Sequence, residues 1–100
     1  MGSLETTDAE SAAVQKTPNR VTLESLKAKI ANEEYIRSEC LPTLTICVLR
    51  LDNGFSIVGK SAPADPENFN AELGRKFAYE DAVRQMWPLE GYALRERLSA

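Results

Sequence analysis

Basic and aromatic side chains near the C-terminus are the residues best suited to bind a charged ligand. Guanidinium and ammonium groups form charge-assisted hydrogen bonds with phosphates, so these residues could contact the phosphates and base of a nucleotide. The C-terminal members of the set have a simpler interpretation, as a solvated helix end whose positive charge complements the helix dipole. The candidates are Arg75, Lys76, Tyr92, Arg95 and Arg97.

Lys76 and Glu80 form a second group of candidates for a binding role. They stand four residues apart, close to the centre of the bulky apolar face of a predicted helix, and can pair with each other. Burying such a pair is costly, because both charges lose their hydration. Three interpretations remain open: the pair is exposed at a gap in the packing, it pairs across a dimer interface, or it binds a ligand.

The residue types needed for most catalytic and metal sites are scarce. The chain has no histidine, which removes the commonest general base and metal ligand. Its two cysteines, Cys40 and Cys47, make neither a disulfide framework nor a zinc site, and we expect Cys47 to be a buried thiol and Cys40 to be exposed. No glycine-rich phosphate loop or nucleophile motif is present. We therefore predict no enzymatic activity, no catalytic or metal-binding residues and no cofactor.

Length and charge narrow the class of protein further. One hundred residues allow a single small domain, and the net charge of −3 argues against binding nucleic acid by phosphate neutralisation. The longest apolar runs, at about eight residues, are too short for a membrane span. No signal peptide is visible at the N-terminus. These features predict a protein of the cytoplasm with no membrane partner.

The N-terminal part of the chain is expected to contain a disordered arm and one helix. Residues 1–20 lack aromatic residues and any apolar period, so they offer little to offset the entropy of ordering. Residues 21–100 are predicted to form a single small α+β domain. Its first element is predicted to be an amphipathic helix from Val21 to about Ser38, with Thr22 as its N-cap.

A two-stranded antiparallel hairpin is predicted next. Residues 44–51 and 55–61 are rich in β-branched and apolar residues, and Asp52-Asn53-Gly54 joins them. A three-residue turn with Gly54 in the left-handed conformation pairs Leu49 with Ile57, which places apolar residues opposite each other. A two-residue turn would not place apolar residues opposite each other, so the three-residue turn is preferred.

A long helix follows the hairpin and is predicted to be broken near its end. Asp65 and Pro66 suit the N-cap and first position of the helix. Trp87-Pro88 is expected to end it, because proline lacks a donor and clashes with the preceding turn, and a short C-terminal helix follows.

This long helix has two apolar faces. We expect the hairpin to cover the bulky face, and the first helix or a second subunit to cover the small one, because small residues allow close backbone approach. From the hairpin turn, the helix ends and the small face, we assign structural roles to Asn53, Gly54, Asp65, Pro66, Gly74, Trp87 and Pro88. The bulky face comprises Phe69, Leu73, Phe77, Val83 and Trp87, and the small face comprises Ala71, Gly74, Ala78 and Ala82.

Several short motifs in fixed order resemble a family of small tailed-phage proteins named after gene 49 of a coliphage and gene 66 of a Shigella phage. The resemblance covers roughly residues 41–98. It implies a small accessory protein made in an infected or lysogenic bacterial cell, and it implies no catalytic residue. The motifs are TICVL at 45–49, NGF at 53–55, PENF at 66–69, GRK at 74–76, AV at 82–83, WPL at 87–89, GY at 91–92 and LR at 94–95.

Two functional hypotheses follow from the residues and the resemblance. The first is an accessory protein that binds a host or phage protein in the host cell cytoplasm, as a homo-oligomer formed through a hairpin edge or the small-residue face. The second is a small-ligand binder that sequesters a nucleotide signal of host defence. Nucleic-acid binding and enzymatic activity are the disfavoured alternatives.

Overall fold

The fold is a three-stranded antiparallel sheet with one long helix packed on one of its faces. The computed structural model describes residues 3–100. The sheet order β1-β2-β3 follows the order of the chain. The elements are α1 (Leu4–Ala13), α2 (Leu23–Ala28), β1 (Ile30–Arg37), β2 (Thr45–Leu51), β3 (Ser56–Ser61), a 3₁₀ turn (Pro66–Asn68) and α3 (Ala71–Ser99).

The first predicted helix is much shorter than expected, and most of its residues form a strand. Thr22 does cap α2, accepting a hydrogen bond from the Ser25 N–H at 3.1 Å. Ile30–Arg37, however, pairs with β2 along its length, so the sheet has three strands rather than the predicted two. A lone hairpin is marginal in water, and β1 supplies β2 with a second neighbour. Tertiary pairing therefore overrides the helical pattern of this segment.

The predicted hairpin and its register are confirmed. Leu49 lies opposite Ile57, and Gly54 has a φ of +87°. The Gly54 N–H donates to the Leu51 carbonyl at 2.8 Å, and the Asn53 side-chain oxygen accepts from the Phe55 N–H at 2.9 Å. The turn residues thus close the hairpin by local hydrogen bonds that favour this register.

The long helix begins later than predicted. Asp65 caps the 3₁₀ turn, with its carboxylate accepting from the Glu67 N–H at 3.0 Å. α3 itself starts after Asn70, whose side-chain oxygen accepts from the Leu73 N–H at 2.9 Å. Asp65 and Pro66 therefore start a separate turn just ahead of the long helix.

The predicted break at Trp87-Pro88 and the separate C-terminal helix are wrong, because α3 continues through Pro88 to Ser99. Proline removes one backbone donor, and contacts on both sides hold the neighbouring turns. The Trp87 indole N–H donates to the Val21 carbonyl at 3.0 Å, and Glu90 pairs with Lys29 at 3.5 Å. Neither α3 nor any other helix within residues 3–100 is long and apolar enough to cross a membrane.

The small face of α3 packs on the sheet, and the prediction that the bulky face does so is wrong for Leu73 and Phe77, which are exposed, although Val83 of that face is buried in the core. Ala78 and Ala82 are fully buried against β3. A Cβ at Gly59 would meet the Ala78 carbonyl and lie 2.5 Å from the Ala82 nitrogen, so the helix and strand backbones are nearly in contact. Bulky side chains could not fit at this distance. The core consists of Leu4, Leu23, Leu26, Cys47, Leu49, Leu51, Ile57, Ala78, Ala82, Val83 and Met86.

Residues 1–20 were expected to be a disordered arm, but residues 3–20 contain the helix α1, and residues 1 and 2 lie outside the described residues. Leu4 is 2 % exposed and belongs to the core. The Asp8 carboxylate accepts from the Arg20 guanidinium at 2.8 Å and from the Leu23 N–H at 3.0 Å. Composition alone missed this arrangement, because one buried leucine and two ion pairs, Asp8 with Arg20 and Glu5 with Lys27, fix a segment that is otherwise polar.

Candidate functional site

A groove lies along the outer side of the N-terminal half of α3, beside the end of β3. It consists of two adjoining cavities that share Ser61 and Phe77, and we call the pair the α3 groove. The apolar pocket, of about 200 Å³, is lined by Thr43, Ser61, Ala62, Pro63, Asn68, Phe69, Asn70, Leu73, Gly74 and Phe77. The charged pocket, of about 580 Å³, is lined by Ser3, Lys60, Ser61, Lys76, Phe77, Glu80, Asp81 and Arg84.

The apolar pocket exists because the N-terminal part of the bulky face of α3 is turned away from the core. Leu73 and Phe77 are left 46 % and 48 % exposed. Gly74 allows the close approach at this end of the helix, since a Cβ there would lie 2.7 Å from the Thr45 hydroxyl oxygen. The Arg37 guanidinium lies 4.7 Å from the centre of the Phe69 ring and covers that side chain from the sheet side. The result is an accessible apolar surface on a rigid helix.

The charged pocket carries an excess of positive charge. Its three basic side chains face two carboxylates, those of Glu80 and Asp81. The Asp81 carboxylate accepts a hydrogen bond from the Lys60 backbone N–H at 3.0 Å and is thereby partly satisfied. Basic side chains therefore outnumber the carboxylates in a protein whose net charge is −3.

Lys76 and Glu80 both line the charged pocket but do not pair with each other. The ion pairs within residues 3–100 join Arg20 to Asp8, Lys27 to Glu5 and Lys29 to Glu90. Lys76 is exposed and Glu80 is half-buried. These positions describe one chain by itself, so pairing across a dimer interface and binding of a ligand stay predictions beside exposure at a gap in the packing. Both side chains are accessible to a binding partner.

The other predicted ligand contacts do not line the groove. Arg75, Tyr92, Arg95 and Arg97 are exposed along α3. Because α3 is continuous and rises 1.5 Å per residue, Arg75 and Arg95 are about 30 Å apart along its axis. Arg75 and Arg95 therefore cannot hold the phosphates of one nucleotide together. A break at Pro88 would have been needed to fold the C-terminal arginines back toward Arg75.

Lys60, Asp81 and Arg84 are groove residues that the sequence interpretation missed. Arg84 follows Glu80 by four residues, as Glu80 follows Lys76, so a helical spacing pattern could have included it. Lys60 could have been placed only with knowledge of which edge of the sheet lies beside α3. Its position depends on tertiary packing that the sequence pattern does not carry.

The Cys47 thiol and the Tyr35 hydroxyl offer little reactivity. Burial raises the pKa of the Cys47 thiol, which keeps it protonated at neutral pH. Burial and the hydrogen bond to Glu33 likewise raise the pKa of Tyr35. Cys40 is exposed, as expected, and lies beside the Ser38 hydroxyl at 3.4 Å. Within residues 3–100 no three acidic, cysteine or histidine side chains are close enough to hold a metal ion.

The fold defines a small α+β protein in which a three-stranded antiparallel sheet packs on one long helix. The chain belongs to the phage protein family described as N4 Gp49/phage Sf6 gene 66, whose family model matches residues 21–98. This match confirms the resemblance seen in the motifs and extends it through α2 and β1. Comparison with curated proteins and with solved structures gave no match.

Proposed function

We propose that this phage protein is a non-enzymatic accessory protein that binds a host or phage protein in the cytoplasm of the bacterial host. The observation that carries the proposal is the exposure of Leu73 and Phe77 on α3, where Leu73 lines the apolar pocket and Phe77 lines both pockets. Protein interfaces are built around such apolar and aromatic anchors surrounded by polar residues.

The two pockets together support a proposal for the chemistry of the partner. The apolar pocket accepts one bulky apolar side chain beside Leu73 and Phe77. The neighbouring basic side chains, Lys60, Lys76 and Arg84, favour carboxylates close to that side chain. We therefore infer that the partner presents an apolar anchor flanked by acidic residues.

Matched substitutions on α3 test the proposal. The partner is captured from infected cells by chemical cross-linking and identified by mass spectrometry, and its bound segment is synthesised and titrated against variants. Phe77→Ser is expected to weaken binding at least about tenfold, as expected when an interface anchor is lost. Leu89→Ser is the control, because Leu89 is 43 % exposed on the same helix but lies outside the groove.

The charge requirement is tested separately. Lys76→Glu is expected to weaken binding and to reduce its dependence on salt, because a favourable charge contact is replaced by a repulsive one. Equal effects of Phe77→Ser and Leu89→Ser, or binding indifferent to Lys76→Glu, would rule out the groove as the interface.

Sequestration of a nucleotide signal is the second candidate function. The volume of the charged pocket lies within the usual range for small-ligand sites, about 300–1,000 Å³, and three cationic side chains line it. Glu80 and Asp81 in the same pocket disfavour a polyphosphate. A nucleotide that raises the melting temperature of wild-type protein, but not of Arg84→Glu, would support this alternative over protein binding.

A further inference from the structure

The outer edge of β1 is the open edge of the sheet. At the other outer edge, that of β3, two side chains of α3 bind backbone groups: Asp81 accepts from the Lys60 N–H at 3.0 Å, and Gln85 donates to the Val58 carbonyl at 2.7 Å. Within residues 3–100, no hydrogen bond from another element reaches the backbone of residues 31–37 apart from those of the β2 ladder. An uncovered edge strand is a template for pairing with another strand.

The position of α3 leaves space beside β1 for a second strand. α3 packs on β2 and β3, so β1 extends beyond the helix-covered part of the sheet. β1 lies opposite β2 without interruption from Asn32 to Arg37. Of the routes to self-association predicted from the sequence, the small face of α3 is buried on the sheet, and the β2 edge of the hairpin is paired with β1. At the β3 edge, side chains of α3 bind two backbone groups.

The side chains of β1 are complementary to a second copy of the same strand. Glu33, Tyr35 and Arg37 alternate along β1 and lie opposite Leu49, Cys47 and Thr45 of β2. They therefore share the face of the sheet on which α3 packs. In an antiparallel pair centred on Tyr35, each Glu33 lies opposite the Arg37 of the other copy, and the two Tyr35 side chains lie opposite each other. Cross-strand pairs of opposite charge and aromatic pairs both stabilise sheets.

We propose that two copies of this chain associate through β1, in antiparallel register centred on Tyr35, to form a continuous six-stranded sheet. The two-fold symmetry repeats the Glu33–Arg37 pair at both ends of the contact. Three backbone pairs can exchange roughly six N–H···O bonds in this register. Most of the α3 groove lies beside the opposite edge of the sheet. Arg37 is the β1 residue that also contacts it, because its guanidinium lies 4.7 Å from the centre of the Phe69 ring in the apolar pocket.

Neighbouring registers fit less well. Centring the pair on Glu34 places the two Glu34 carboxylates opposite each other, and like charges at that position destabilise a sheet. Centring it on Ile36 moves Arg37 opposite Tyr35 and leaves Glu33 without a basic partner. The Tyr35-centred register places each acidic and each basic side chain of the α3-covered face opposite its complement.

A charge exchange tests the proposal on the full chain. Sedimentation measures the dimer dissociation constant for wild type, Glu33→Arg, Arg37→Glu and the double variant. Each single variant places like charges opposite each other twice, so we expect it to weaken the dimer at least about tenfold. The double variant restores both opposite-charge pairs and is expected to recover the wild-type dissociation constant within about threefold.

The recovery can arise only between two chains. Glu33 and Arg37 of one strand are four residues apart, which is about 13 Å along an extended strand, so they do not pair with each other. Glu96→Arg is the control for charge alone, because Glu96 is exposed near the end of α3. This variant is expected to leave the dimer unchanged. Circular dichroism of each variant verifies that the fold is intact.

Hydrogen exchange of the wild-type chain provides a second measurement that needs no variant. The backbone amides of Glu33, Tyr35 and Arg37 should become protected as the protein concentration rises, while the amide of Phe77 should not change. A monomer at about 100 μM, double variants that stay as weak as the singles, or unprotected β1 amides in a dimer would each overturn the proposal. If the α3 groove variants fail to affect partner binding, the proposal of a dimer through β1 still stands.

Discussion

Individual glycines set the distance between the long helix and the sheet. At Gly59 the backbone of β3 lies against the backbone of α3, and at Gly74 the helix lies against the Thr45 side chain. Both contacts depend on the absence of a Cβ rather than on an unusual φ angle. The Thr45 hydroxyl is buried and has no hydrogen-bond partner among the described residues, so the close approach at Gly74 has an energetic cost.

Gly59→Ala is predicted to destabilise the protein strongly. The added Cβ would lie 2.5 Å from the Ala82 nitrogen and 2.8 Å from the Ala82 Cβ, and the opposing helix backbone cannot move aside without losing its other contacts. Overpacking of this kind typically costs about 1–3 kcal/mol, and we expect the upper end of that range. Urea unfolding provides the measurement. Gly91→Ala is the matched control: it has free space around it within α3 and is expected to stabilise by about 0.5–1 kcal/mol.

At the scale of elements, local chemistry predicted some features well and others not at all. The β2–β3 hairpin and its register follow from Asn53, Gly54 and the apolar pairs beside them, so they could be predicted from neighbouring residues. β1 could not, because its segment carries an apolar pattern compatible with a helix and becomes a strand only when β2 is present. The continuity of α3 through Pro88 likewise depends on contacts to Val21 and Lys29, which are distant in sequence.

The attachment of α1 is the element most at odds with the sequence prediction, and it can be tested directly. Leu4→Ala is predicted to destabilise the protein by about 2–3 kcal/mol, because Leu4 is fully packed in the core. It should also speed proteolysis at Lys16. Val14→Ala is the control, since Val14 is 74 % exposed at the end of α1. Indistinguishable unfolding of the two variants would show that α1 does not pack on the sheet and helix.

For the molecule as a whole, the sequence predicted the class of fold better than the candidate site. The α+β class follows from the hairpin and the long helix. For the site, Lys76 and Glu80 were singled out and both line the groove, while their part in binding stays a prediction. Lys60 and Arg84 were not, because the spatial relation between β3 and α3 depends on which face of the helix is buried. The buried face proved to be the small one, which could not be decided from side-chain size alone.

The stability of the whole molecule is predicted to depend on pH through Asp8. Hydrogen bonds from Arg20 and from the Leu23 N–H hold the pKa of Asp8 below its ordinary value near 3.8. Because the pKa of Asp8 is lower in the folded state, Asp8 stabilises the protein at pH values above its pKa in the unfolded chain. This stabilisation is lost as the pH falls through the folded-state pKa. Unfolding free energies measured between about pH 5 and pH 2 should therefore fall more steeply for wild type than for Asp8→Asn.

The matched comparison for this prediction is Asp52→Asn, which makes the same chemical change at an exposed turn residue. It is expected to retain the wild-type slope. If Asp8→Asn also keeps the wild-type dependence of unfolding free energy on pH, the bond between Asp8 and Arg20 does not persist in solution.

The hydrogen bond from Trp87 to the Val21 carbonyl gives the protein an intrinsic optical reporter. The chain contains a single tryptophan, so all of its indole fluorescence comes from this one position on α3. The indole ring is partly buried against the core, and its N–H reaches the segment that connects α1 to α2. Emission from Trp87 therefore senses whether that N-terminal segment remains bound to the long helix, and a shift to longer wavelength would register its release.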